Sequence, residues 1–268
     1  MTTLAWTNDS TASSPAVPSS VTPEDVRRCL AGTGPSIRYQ PIVHLETGVV
    51  IGAEAFSRFP SDAPVLDWFR CAEDAGLGSE LELRAVYNIL EVRSRWPQSW
   101  EMVCVNVSPE RLRDERMRQT LTSLPESRLV VELTDQTALP DDWHLRDQLE
   151  RLRTDGALIA VSGLRPGDSQ YERILRIQPE IVKLDVAVLE RIDADPARKQ
   201  AVEELVSACR RSGVFVVAVG IEKEDQLRFV RSMGIDAAQG HLFGVPSDIE
   251  SPSLTERHPA ASSLDPTA

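Results

Sequence analysis

Tyr39–Arg58, YQPIVHLETGVVIGAEAFSR, decides how the rest of the chain is arranged. Two apolar runs, Ile37–Val43 and Val49–Phe56, flank a Thr47-Gly48 turn signal and read as a strand, a tight connection and a second strand. The connection is too short for a parallel crossover, which predicts that these strands run antiparallel. The second strand is read as ending on Glu54. A carboxylate emerging where a buried strand stops is where a barrel or open sheet puts its chemistry, so Glu54 is a candidate ligand or acid. The competing reading is a cap or ion-pair carboxylate.

Beyond this pair, short apolar runs alternate with helical stripes. The runs are Met102–Val105, Leu129–Leu133, Leu158–Val161, Ile181–Leu184, Val214–Val219 and Ile235–Ala238. The stripes include Leu83, Val86 and Leu90, and Val202, Leu205, Val206 and Cys209, each set spaced to one helix face. Strands separated mainly by helices, eight with the opening pair, predict an α/β fold, a TIM-like (β/α)8 barrel with an antiparallel first strand.

Thr22-Pro23-Glu24-Asp25 reads as a helix start, with Thr22 as N-cap, Pro23 at the first helical position and Asp25 completing a capping box. Residues 1–22, rich in Thr, Ser, Ala and Pro, read as a flexible leader, 23–250 as the barrel, and 251–268 as a disordered tail of similar composition. A chain of 268 residues with 41% hydrophobic content is enough for one such core.

Asp and Glu number 41 against 29 Lys and Arg, a formal charge of -12. That balance argues against general nucleic-acid or anionic-membrane binding, which draw on basic patches. It is compatible with a phosphate ligand, because charge at the site decides small-ligand binding. Cys29, Cys71, Cys104 and Cys209 have no metal-ligand spacing and read as reduced core thiols. No stretch approaches the roughly 20 apolar residues of a membrane span, and MTTLAWTNDS lacks a secretion signal, so a cytoplasmic protein is expected.

Gln40-Pro41-Ile42-Val43, the Thr47-Gly48 turn and Glu54-Ala55-Phe56-Ser57-Arg58 together resemble the opening of the EAL-domain family, whose members hydrolyse the bacterial second messenger cyclic di-GMP. Phe56 stands where the naming motif has Leu. Val105-Asn106-Val107-Ser108 and Val131-Glu132-Leu133-Thr134-Asp135 resemble the family's next metal-ligand motifs, Ile181-Val182-Lys183-Leu184-Asp185 its lysine motif, and Gln239-Gly240-His241-Leu242-Phe243 its closing motif. Ala72-Glu73-Asp74-Ala75-Gly76-Leu77 matches a helix-end phrase without chemistry.

Each predicted strand should deliver a residue to the carboxyl-end rim, which gives Glu54, Asn106, Glu132, Ser162, Lys183, Val219 and Gln239. The resemblance implies that, within this set, Glu54, Asn106 and Glu132 would be metal ligands of the hard-oxygen kind suited to Mg²⁺, Mn²⁺ or Ca²⁺. Gln40, Arg58 and Gln239 would contact the nucleotide. Lys183 would lie beside the attacking water, supported by Asp185; the alternative is an ion pair with Asp185 or a neighbouring glutamate.

The pattern breaks in three places. The family's paired metal-binding aspartates fall on Ser162 and Gly163, and its aromatic, glycine-rich loop on Leu164–Ser169, with Ser169 and Glu172 still able to cap a helix. The first glutamate of the motif at Ala218-Val219-Gly220-Ile221-Glu222 is replaced by Val219, which cannot act as base; Glu222 remains. Two-metal hydrolysis needs bridging carboxylates and a deprotonated water in line with the leaving oxygen. Their loss should cost about 4–7 kcal/mol of transition-state stabilisation, or about 10³- to 10⁵-fold in rate.

The expectation is therefore a degenerate EAL-domain signalling protein, a cyclic di-GMP receptor or one that acts through an unidentified protein partner, with a homodimer compatible with either. The alternative is a weak phosphodiesterase that recruits Ser162, Asp168 or Glu222 and releases linear pGpG. One Mg²⁺ or Mn²⁺ on Glu54, Asn106 and Glu132 would form a partial site. Arg165 offers a competing cation, either paired with Glu54 or Glu132 in the metal's electrostatic role or an exposed loop arginine.

Overall fold

The computed structural model describes residues 21–123, 128–133, 143–162, 177–186 and 196–255. Helix α1, Pro23–Ala31, begins as its sequence predicts: Thr22 Oγ1 accepts from the Asp25 amide at 3.3 Å, and Asp25 Oδ2 accepts from the Thr22 amide at 3.0 Å. Its buried face, Val26 and Cys29, packs with Trp68 and Leu81 of helices α2 (Val65–Asp74) and α3 (Gly78–Glu91). Val21 joins this cluster, so packed structure starts inside the segment read as a leader.

Strands β1 (Ser36–His44), β2 (Val50–Arg58), β3 (Met102–Val107), β4 (Leu129–Leu133), β5 (Leu158–Val161), β6 (Ile181–Asp185), β7 (Phe215–Val219) and β8 (Ala237–Gln239) close into a barrel in chain order. β1 is antiparallel to both β2 and β8, and every other pairing is parallel. Gly48, at φ 69°, turns the hairpin, and its amide donates to the His44 carbonyl at 2.8 Å.

Alternation along each strand divides inside from outside. Ile42, Met102, Cys104, Val130, Ala160, Ile181, Val217 and Ala237 fill the barrel interior. Val103, Val105, Val131, Ile159, Val182, Leu184 and Val216 point outward into the layer shared with the helices. That layer includes Val86 and Leu90 of α3 and Val202, Leu205, Val206 and Cys209 of α6 (Pro196–Arg211), with Leu83 half-buried beside them. All four cysteines are free and buried. Helices α4 (Glu115–Leu121), α5 (Trp143–Thr154) and α7 (Glu224–Ser232) precede β4, β5 and β8 in the chain.

Two boundaries differ from those expected. Glu54 lies inside β2, because the β1–β2 ladder continues to Ser36 opposite Arg58 whereas the β2–β3 ladder stops at Ala55 opposite Val105. The outer ends of β1 and β2 thus form a two-stranded ribbon that outruns the β2–β3 pairing. At the other end, Leu254 is fully buried and its carbonyl accepts from Trp100 Nε1 at 2.9 Å, so packed structure continues past residue 250. Among the described residues, no helix is long and apolar enough to cross a membrane.

Gly52 shows how tightly β2 is seated against β3. A Cβ there would lie 2.2 Å from the Met102 carbonyl oxygen and 2.5 Å from Met102 Cγ. Gly52→Ala should therefore lose about 1–3 kcal/mol of stability through overpacking, read as a lowered urea midpoint with an unchanged slope.

Candidate functional site

The polar site is the next storey of the barrel interior. Two residues beyond each interior apolar side chain, the same alternation directs Asn106 above Cys104, Glu132 above Val130, Ser162 above Ala160, Lys183 above Ile181, Val219 above Val217 and Gln239 above Ala237. From the reversed pair come Gln40 and Glu54, opposite one another in the β1–β2 register.

Lys183 is at the centre. Its ammonium donates to Glu54 Oε2 at 2.7 Å and to Glu132 Oε2 at 2.5 Å, and the lysine side chain is 1% exposed. Asn106 Nδ2 donates to Glu54 Oε1 at 2.8 Å, and Gln239 Nε2 donates to Glu54 Oε2 at 2.9 Å and to Gln40 Oε1 at 3.0 Å. Gln40 Nε2 in turn donates to the Gly244 carbonyl at 2.9 Å. Glu54 thus accepts from an ammonium and two amides, and the layer is cross-linked from β1 to β6.

Burial raises the Glu132 pKa, and the neighbouring Glu54 charge raises it further; Lys183 and a hydrogen bond from Ser162 oppose this. For Lys183, burial alone would push the pKa down. The neighbouring Cys104 and the carboxylates of Glu132 and Glu54 outweigh it and hold the pKa well above the ordinary lysine value. Burial pushes the Cys104 thiol, beneath the lysine, up to about 12, so it is neutral at physiological pH and the glutamates are the operative anions.

The structure brings together Glu54, Asn106, Glu132, Lys183, Gln40 and Gln239. The Gln40 and Gln239 amides, expected to meet a nucleotide, are buried and engaged with one another. Arg58 is exposed at the end of the ribbon. Val219 is half-buried opposite Asp185. Glu222 is exposed, 4.0 Å from His241 Nδ1. Gly163, Arg165, Asp168, Ser169 and Glu172 lie outside the described residues, so the expected pairing of Arg165 with a glutamate belongs to an undescribed segment. The cation seen between Glu54 and Glu132 is Lys183, which realises the ion-pair reading with two glutamates rather than with Asp185.

Two supporting residues escaped the sequence reading. Glu82 of α3, buried, accepts from the Ser108 amide at 2.6 Å and the Ser108 hydroxyl at 2.9 Å, anchoring the chain two residues after Asn106. A charged residue on an otherwise apolar helix face was the available signal. Arg38 shares the inward face with Gln40, a period-two relation present in the sequence from the start.

Whether the site suits divalent cations depends on these donors. Glu54, Asn106 and Glu132 offer oxygens of the right kind. Yet Asn106 turns its amide nitrogen toward Glu54, and one ammonium already bonds both carboxylates. A divalent ion between Glu54 and Glu132 would have to displace Lys183 and reverse the amide. Ser162 and the Gly163 that follows it supply no carboxylate to bridge a second ion. As arranged, the described residues do not fit a metal pair.

A closed eight-stranded barrel with one reversed strand and an acid, amide and lysine layer at the carboxyl ends of its strands defines an EAL-type (β/α)8 barrel. The EAL domain model matches residues 24–246, and the chain belongs to that family. It is 27% identical over 223 residues to PdeI of Escherichia coli K12, a probable cyclic di-GMP phosphodiesterase, covering 78% of this chain and 28% of PdeI. The chain thus spans less than a third of that relative's length. The EAL domain of Xanthomonas citri FimX, solved in complex with cyclic di-GMP, superposes with a TM-score of 0.74 at 18% identity, over 85% of this chain and 94% of that one. Klebsiella pneumoniae BlrP1, solved with manganese and cyclic di-GMP, gives 0.71 at 24% identity, over 81% of this chain and 57% of BlrP1.

Removing the lysine should leave two buried carboxylates facing each other. Lys183→Met is expected to lose about 3–5 kcal/mol of stability near pH 8, and less near pH 5, where a carboxyl takes up a proton instead. Further replacement by Glu54→Gln and Glu132→Gln should restore much of the loss. In the unaltered protein the raised Lys183 pKa means the native state holds its proton longer than the unfolded chain. Its stabilisation is complete below the ordinary value of 10.5 and falls as pH rises through the native value. Urea unfolding across pH checks both.

Proposed function

We propose that this chain is a catalytically silent EAL domain of bacterial cytoplasmic signalling, which takes cyclic di-GMP as a ligand without hydrolysing it and passes the bound state on through protein contacts. The observation that carries this reading is the loss of carboxylates at Ser162, Gly163 and Val219, around a Lys183 ammonium shared by Glu54 and Glu132. The protein's own cation neutralises the carboxylates that would otherwise hold a metal. In this reading, binding owes nothing to an added ion.

Four features of the residues support the loss of hydrolysis. Ser162 and Gly163 supply no bridging carboxylate, and Val219 supplies no base. Lys183, with its proton held by two glutamates, is a poor group to activate water, because its amine is never free near neutral pH. Glu222 retains a carboxylate but is exposed, where a water it activates would not be shielded from solvent.

Affinity and catalysis draw on different contacts, so losing the second does not remove the first. The family membership makes cyclic di-GMP the ligand to test, and the exposed Arg58 is a phosphate-binding candidate left accessible by the buried polar layer.

Calorimetric titration with cyclic di-GMP, run once with a chelator and once with Mn²⁺ or Mg²⁺, and chromatography for linear pGpG test the reading together. The expected result is binding of similar affinity in both conditions and no product above the uncatalysed background. Product at ordinary enzymatic rates would overturn the silent reading. Failure to bind in either condition would overturn the receptor reading and favour a module working through protein contacts alone.

A further inference from the structure

The ribbon formed by the outer ends of β1 and β2 carries a second cation. In the antiparallel register Arg38 lies opposite Phe56, Gln40 opposite Glu54 and Ser36 opposite Arg58. Opposed residues of an antiparallel pair face the same way, so Arg38, Phe56 and Arg58 continue the inward face of Gln40 and Glu54 up the ribbon. The Arg58 guanidinium lies 5.9 Å from the centroid of the Phe56 ring and donates to the Ser57 carbonyl at 3.0 Å. The register makes Arg38 and Arg58 diagonal neighbours, and partial desolvation and then the Arg38 charge lower the Arg58 pKa.

Arg38 is held by the segment that follows β8. Its Nη1 donates to Asp248 Oδ1 at 2.5 Å and to the Ile37 carbonyl at 3.2 Å. The same segment is fastened to β1 at two further points: Tyr39 and Ser247 exchange backbone hydrogen bonds of 2.8 and 2.9 Å, and Gln40 Nε2 binds the Gly244 carbonyl. The backbone places Asp248 beside Arg38, but Asp248 itself is 68% exposed. An ion pair this open to solvent contributes little to stability and yields to a better anion.

We propose that Arg38 is a second phosphate-contacting residue, acting with Arg58 on the anionic cyclic dinucleotide, and that Asp248 is a placeholder anion which the ligand phosphate displaces. This rests on the receptor reading given above. Two guanidiniums on one face suit a phosphodiester, whose oxygens accept paired hydrogen bonds from a planar fork, and like charges that repel in the free protein are relieved when an anion arrives. The buried layer below cannot do the same work, because the Gln40 and Gln239 amides are already engaged.

Calorimetric titration with cyclic di-GMP at about 0.1 M salt separates the two ideas. With the wild type binding, Arg38→Gln should weaken affinity about tenfold and flatten its dependence on salt. Arg38→Lys should recover part of the loss, and Asp248→Asn should bind about two- to fivefold more tightly than wild type. Thermal melting of each variant checks that it is folded; the Asp248 substitution, at an exposed side chain, gives a readout independent of any damage at Arg38. Wild-type affinity in both Arg38→Gln and Asp248→Asn would overturn this proposal and leave the receptor reading standing. No binding by the wild type would remove both.

Discussion

One buried ammonium bonded to two buried carboxylates is the constraint on which the rest of the barrel mouth depends. Lys183 reaches Glu54 across the barrel and Glu132 two strands back along the wall, so three strands are committed to one charge arrangement. Without it only a hydrogen bond from Ser162 would oppose burial and the neighbouring Glu54 charge, which both raise the Glu132 pKa. Such a cluster adds little net stability relative to an apolar core of the same shape, but breaking it by removing one partner is costly. Its value is specificity: it fixes the orientation of the Asn106 and Gln239 amides, and through Gln239 that of Gln40.

In the proposed reading the same constraint separates affinity from hydrolysis. A site that hydrolyses a phosphodiester with metals needs oxygen donors free to take cations and a base with a proton vacancy. Here the donor oxygens of Glu54 and Glu132 are spent on an internal cation, the neighbouring positions are Ser162 and Gly163, and Val219 stands where a carboxylate would serve. What stays accessible lies higher up, on the ribbon where β1 and β2 outrun the β2–β3 pairing. Cations on that ribbon are suited to hold an anion, and nothing in their chemistry suits them to cleave one.

Much of this was legible in the sequence, for physical reasons that can be named. Strand periodicity is two, so an apolar residue in the barrel interior points to the next functional candidate two positions on; that relation alone links Cys104 to Asn106, Val130 to Glu132 and Ile181 to Lys183. The hairpin signal at Thr47-Gly48 revealed the reversed first strand, because no parallel crossover fits so short a link. The partner of Lys183 was not legible. Its contact with Glu54 spans 129 residues, and local spacing carries no information about which charges meet across a barrel. Glu54 reads as the end of the second strand although the apolar run continues to Phe56, and only the backbone pairing with β1 shows that β2 runs on to Arg58. The extension past residue 250 was missed for a similar reason: Leu254 is a single apolar residue among polar ones, and only its pocket beside Trp100 gives it meaning.

In the proposed reading the protein's own lysine takes the place of a divalent cation between Glu54 and Glu132. Anomalous diffraction from crystals grown with cyclic di-GMP and soaked in Mn²⁺ is the decisive measurement. The expected map shows the Lys183 ammonium between the two carboxylates and no manganese signal there. A manganese peak bonded to Glu54, Asn106 and Glu132, with Lys183 turned away, would contradict it.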